Sequence, residues 1–143
     1  MIDYQKILNH KMIEVLIDIL KYIKIHGTVN NSHLYITFFT NKKNDKIPNW
    51  LKKKYPEEMT IVLQYEYYDL SINKKDFSVT LSFDGIKTKL IITYESIISF
   101  ADPSANFGLI LQKNKKEASV KKSLKKSKLE KNNVIKFSNY KRN

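Results

Sequence analysis

The sequence predicts an α+β fold, mainly β: an N-terminal helix, a strongly curled antiparallel sheet or barrel, and a disordered C-terminal tail. Three observations carry this. Apolar residues recur at three- and four-residue spacing over residues 3–25. From residue 33 to 111, short runs rich in β-branched and aromatic residues are separated by turn residues. After residue 112, lysine, serine, glutamate and asparagine take over.

Residues 3–25 read as one amphipathic helix with Asp3 as its N-cap and Gly27 as its stop. Leu8, Met12, Val15, Leu16, Ile19 and Ile23 form the apolar stripe, and Ile7, Ile13, Ile17 and Leu20 widen it. A helix this apolar is expected to be covered on more than one side, by its own sheet and by a partner subunit. Residues 33–40 read as a strand, 41–48 as a polar loop ending at Pro48, and 50–55 as a short helical or irregular turn stopped by Pro56. Strands follow near 59–67, 69–73, 77–83 and 88–94, the last two joined as a hairpin by Asp84 and Gly85. Residues 96–100 and 107–111 close the sheet around the loop 101–106.

The organisation is therefore a folded domain over 1–112, a disordered lysine-rich linker over 113–133, and a terminal segment over 134–143. The linker has too few apolar groups to offset the entropy of ordering. The terminal segment recovers Val134, Ile135, Phe137 and Tyr140, the pattern of a docking peptide and equally of a tail that bears aromatics by chance.

The formal net charge of +12 is uneven. Residues 113–143 hold 12 basic and 2 acidic side chains, whereas residues 1–112 hold 14 and 12. Arg142 is the only arginine, so the planar fork that dominates specific phosphate contacts is nearly missing. The abundance of Lys, Asn and Ile also fits a biased genome composition. No cysteine is present, which excludes disulfides, thiolate chemistry and Cys-based zinc sites. The start lacks the charge and apolar pattern of a signal peptide, and Glu14, Asp18, Lys21 and Lys24 interrupt the longest apolar stretch. A cytoplasmic protein without a membrane span is expected.

Catalytic readings find little support. His10 and Glu14 stand i,i+4 on the helix, spacing that fits a metal or acid–base pair and fits a surface hydrogen bond better. His26 sits at the helix end and His33 opens a strand. Glu57 and Glu58 are adjacent and point to opposite faces of an extended chain. The three glycines are isolated, so no phosphate-cradling loop exists. No enzyme activity, cofactor or metal is expected. Tyr65, Tyr67 and Tyr68, with the basic tail, allow a small RNA-binding protein as the alternative, although Tyr65 and Tyr67 share a sheet face and serve equally as core.

The runs HLYITFFT (33–40), IPNWLKKKYPEEMTIVLQYEYYDL (47–70) and FSVTLSFDGIKTKLIITYESIISFADPSANFGLIL (77–111) resemble the SspB (stringent starvation protein B) family of ClpXP protease adaptors, nearest its alphaproteobacterial branch. The resemblance spans roughly residues 5–111. It implies an Sm-like fold, a homodimer through the N-terminal helix (Leu8, Met12, Val15, Leu16 and Ile19), and a groove for the ssrA tag, the peptide added to products of stalled ribosomes. By similarity that groove runs along Thr80, Leu81, Ser82, Phe83, Asp84 and Gly85, with Pro48, Asn49 and Leu51 as a wall and Phe100 and Asp102 as further candidates. For the apolar members, plain core packing is an equal alternative. In strand 77–83, Phe77, Val79, Leu81 and Phe83 form one row, while Ser78, Thr80 and Ser82 form a small polar row that lets a peptide backbone approach.

The resemblance also implies that the terminal segment docks on the N-terminal domain of ClpX, with Val134, Ile135, Phe137, Tyr140, Lys141 and Arg142 at the apolar and basic positions. The departures are Asn44, Asp45, Lys46 and Ile47 before Pro48, Thr93 where proline is common, Lys136 and Asn139 in the tail, and the lysine-rich linker. A flexible 21-residue linker spans about 25 Å and keeps cargo near its unfoldase at roughly millimolar effective concentration.

Overall fold

The computed structural model describes residues 1–28, 32–42 and 45–112. The proposed linker and terminal segment lie outside them.

Helix α1 (Tyr4–His26) begins where Asp3 Oδ1 accepts the N–H of Lys6 at 3.0 Å. Such a cap contributes about 1 kcal/mol. It ends at Gly27, whose φ of 77° turns the chain while its N–H still reaches the carbonyl of Ile23 at 2.7 Å. Met12, Leu16, Leu20 and Ile23, at three- and four-residue spacing, are the buried face. The helix lies against β3, where the Lys24 ammonium donates to the carbonyl of Leu70.

The strands are β1 (Leu34–Phe39), β2 (Glu58–Leu63), β3 (Tyr67–Ile72), β4 (Asp76–Phe83), β5 (Ile86–Thr93), β6 (Ile97–Asp102) and β7 (Phe107–Ile110). A short helix α2 (Asn49–Lys54) precedes β2. All pairings are antiparallel and form two sheets, β2-β1-β6-β7 and β3-β4-β5. These pairings do not close a barrel. One strand is expected near 59–67, but β2 ends at Leu63 and β3 starts at Tyr67: a turn at Gln64, Tyr65 and Glu66 interrupts the chain although the alternation continues through it.

In β1, Leu34, Ile36 and Phe38 face inward and are buried. In β4 and β5 the inward rows are Phe77, Val79, Leu81 and Leu90, Ile92. They join the α1 face and Leu51 in one apolar core. Asp84 and Gly85 both adopt positive φ, 53° and 80°, the primed turn that matches strand twist. β3 is bulged: its register against β4 shifts between Tyr68 and Ser71, with Asp69 at φ 52°.

Candidate functional site: the outer face of the three-stranded sheet

Inward apolar side chains on β4 leave the alternate row pointing out of the sheet. Ser78 at the start of that row is buried, Thr80 is half-buried and Ser82 is exposed, so the row opens toward the hairpin tip. Register builds the rest of the face. Tyr68 and Lys89 flank Thr80, and Lys87 lies opposite Ser82. Tyr68 is 40% exposed, and the Lys87 ammonium sits 4.3 Å from the centre of its ring. Lys46 pairs with Ile91 in an isolated bridge and so shares this side. The result is a shallow surface of small hydroxyls, one aromatic ring and three lysines. β4 is the central strand, its main chain paired with β3 and β5, so a guest on this face meets side chains rather than free backbone of β4.

Helix α2 borders the hairpin tip. Leu51 is fully buried, which seats the helix on the core. The Lys54 ammonium is 2.7 Å from Asp84 Oδ2 at the turn. That hydrogen bond, then the aspartate charge, pushes the Lys54 pKa up. Behind it, the Thr40 hydroxyl donates to the carbonyl of Tyr55 at 2.6 Å. Ahead of it, Asp45 Oδ1 accepts the N–H of Thr93 at 2.8 Å and its hydroxyl at 2.6 Å.

These contacts place the end of α2, from Leu51 to Lys54, beside the turn formed by Asp84 and Gly85. Pro48 is half-buried, and Asn49, Ser82, Asp84 and Gly85 are exposed. Phe83 is half-buried against the core. Leu51, Leu81 and Phe100 lie within the core and cannot touch a guest unless it opens. Phe100 belongs to the other sheet, its ring 6.2 Å from that of Phe107. Asp102 is also apart from this face. Its carboxylate accepts the N–H and hydroxyl of Ser104, and it lines a cavity of about 270 Å³ with Ile19, Tyr22, Leu34 and Phe107.

On α1, Met12 and Leu16 are in the protein's own core, while Leu8 and Val15 are 45% and 39% exposed and Ile19 is half-buried. Val134, Ile135, Phe137, Tyr140, Lys141 and Arg142 lie outside the described residues. His10 and Glu14 meet at 3.2 Å, both open to solvent, as a surface pair. Among the described residues no group of three or more histidines and carboxylates could hold a metal ion, and no helix is long and apolar enough to cross a membrane.

Sequence reasoning did not single out Lys87 and Lys89 for this face. Their alternation with the buried Thr88 and Leu90 is a signal that could have found them. The pairs Lys54–Asp84 and Asp45–Thr93 span 30 and 48 positions, and no local pattern marks them.

No curated protein matched the chain in a sequence search. The family described as stringent starvation protein B, SspB, matches over residues 7–141, nearly the whole chain, from the first turn of α1 onward. The match is to the family as a whole and assigns no branch. Together with the fold of an N-terminal helix and antiparallel sheets, it shows that this chain belongs to the SspB family of adaptors.

Proposed function

We propose that this protein is a cytoplasmic adaptor that binds ssrA-tagged substrates and delivers them to the ClpXP protease. The observation that carries the reading is the open face of β3-β4-β5 beside α2, in a chain of an adaptor family. On this reading the tag lies across Thr80, Ser82, Tyr68 and Lys87, with Pro48, Asn49, Asp84 and Gly85 at its margin. Leu51, Leu81 and Phe83 support the surface from below. Small hydroxyls let an extended peptide come close, and the ring offers an apolar contact between its polar groups. On this reading the fold is an open variant of the Sm-like type.

Residues 134–143 dock on ClpX through Val134, Ile135, Phe137, Tyr140, Lys141 and Arg142, and residues 113–133 act as the tether. The exposed Leu8 and Val15, with half-buried Ile19, form a stripe through which two copies associate. A dimer would carry two peptide sites and two tails. Neither a cofactor nor a catalytic group is needed, because ATP-driven work belongs to the unfoldase.

RNA binding is the second reading, favoured by the lysine stacked on Tyr68 and two further lysines on the same face. Fluorescence anisotropy with a labelled tag peptide and with single-stranded RNA separates the two. The adaptor reading expects tight peptide binding and weak RNA binding that falls steeply with salt. Tight RNA binding without peptide binding reverses the assignment. Deleting residues 134–143 is expected to leave peptide binding intact and to abolish ClpXP degradation of a tagged reporter. Unchanged degradation would sink the docking assignment.

A further inference from the structure

Asp45 is a carboxylate only 5% exposed, in a loop where lysines are common. Burying a carboxylate is costly unless hydrogen bonds replace its water. One oxygen, Oδ1, takes both donors of a single residue, the N–H and the hydroxyl of Thr93. The other, Oδ2, is buried with no partner among the described residues. Next to it, Lys46 and Ile91 exchange main-chain hydrogen bonds of 3.0 and 3.3 Å. Residues 45 and 46 thus claim two successive outward N–H groups of β5, those of Ile91 and Thr93.

Two residues on, the carbonyl of Pro48 accepts from Leu51 and Lys52 and starts α2. The helix is then held at three places: by Asp45 and Lys46 before its first turn, by buried Leu51, and by Lys54 on Asp84. The ion pair at the far end is exposed and weakly restraining. The clamp at the near end is buried and directional. A buried polar contact of this kind sets one geometry more than it adds stability.

We infer that Asp45 and Thr93 are positioning residues: their clamp sets where Pro48, Asn49 and α2 stand beside the hairpin, and so the shape of the peptide site. This rests on the peptide-binding reading above, but the position of α2 can be measured without it. Trp50, the only tryptophan, lies on α2 and is 38% exposed, so its fluorescence reports the helix.

The test uses the full chain with Thr93→Val, Thr93→Ser and Asp45→Ala, and with Ile92→Val as a core control. Thr93→Ser keeps both donors and is expected to match wild type. Thr93→Val and Asp45→Ala are expected to red-shift Trp50 emission and increase its acrylamide quenching. They should also weaken tag-peptide binding by about fivefold to tenfold, the scale of one lost hydrogen bond. Ile92→Val, at a comparable fall in melting temperature, should change neither readout.

Wild-type Trp50 emission and quenching in both folded clamp variants would overturn the inference, as would peptide affinity that simply tracks melting temperature across all four. If wild type binds no peptide, the functional reading fails while the Trp50 comparison still decides the clamp. If one clamp variant does not fold, the other carries the test.

Discussion

The two sheets are built alike and finished differently. On the outer side of β2-β1-β6-β7, the rows are Val62, Tyr35 and Ala101, then Thr60, Thr37 and Ser99. These two rows carry no charge, and the Thr37 and Thr60 hydroxyls satisfy each other at 2.7 Å; the next row pairs Phe39 with Glu58, and the Lys42 ammonium sits 4.9 Å from the centre of the Phe39 ring. On the outer side of β3-β4-β5, the corresponding rows hold Tyr68, Thr80 and Lys89, then Ser82 and Lys87. Both inner faces feed one core. Inward residues are therefore set by packing in both sheets, and packing leaves the outward residues free to differ. On the proposed function, long charged side chains beside small hydroxyls would attract a guest without filling its own space.

The largest expected effect lies on the inner side. Phe77→Ala, at a fully buried position of β4, should cost about 3–5 kcal/mol in denaturant unfolding. Ser82→Arg, on the open face of the same strand, should leave unfolding unchanged and weaken peptide binding by more than about tenfold, a steric block worth at least 1.4 kcal/mol. Equal destabilisation by both would erase the distinction between the faces.

Charge gives the next test. Replacing Lys87 and Lys89 together by glutamate should weaken binding of an acidic tag peptide by about tenfold at low salt, and less at high salt. Thr60→Glu on the other sheet should do nothing to it. An equal loss from Thr60→Glu would show that net charge, and not this face, matters.

A smaller effect concerns Tyr94, at the base of β5. Burial, reinforced by the Asp76 charge, pushes its phenol from the ordinary 10.0 up to about 12. The folded state favours the neutral phenol, so its contribution is complete below pH 10 and is lost as pH rises toward 12. Melting curves across that window should show Tyr94→Phe losing less stability with rising pH than wild type, although it starts without the hydrogen bond to the carbonyl of Asn73. Parallel pH profiles would refute this. The smallest effect belongs to Lys54→Met. Its exposed ion pair with Asp84 should leave the melting temperature unchanged within error.

Much of the architecture is legible in the sequence because it is local. Asp3 caps α1, Gly27 ends it, and Asp84 with Gly85 turns the hairpin, each within a few residues of what it controls. The outer row of β4 is legible too, since alternation alone assigns Thr80 and Ser82. Partner choice is not. Nothing near β1 says that it lies between β2 and β6, and the bulge at Asp69 changes which tyrosine faces out. Tyr67 packs on the core, Tyr68 opens onto the outer face, and Tyr65 lies outside the strands. Leu81 goes inward with the alternation of β4, whereas the burial of Leu51 on a six-residue helix is a property of the assembled core.

The last described residues carry a mechanical consequence. Leu111 donates its N–H to Ile98 at 2.8 Å, and the Gln112 amide donates to the carbonyls of Glu95 and Ile97 at 3.0 and 2.6 Å. They follow β7, an outermost strand, so a pull on residues 113–143 would enter the body here and strain these bonds first. They would then act as a strain relief, like the knot that keeps a pulled cord from tearing its socket. A Gln112→Ala variant would begin to peel β7 from β6 at lower load, paying out slack from the body itself.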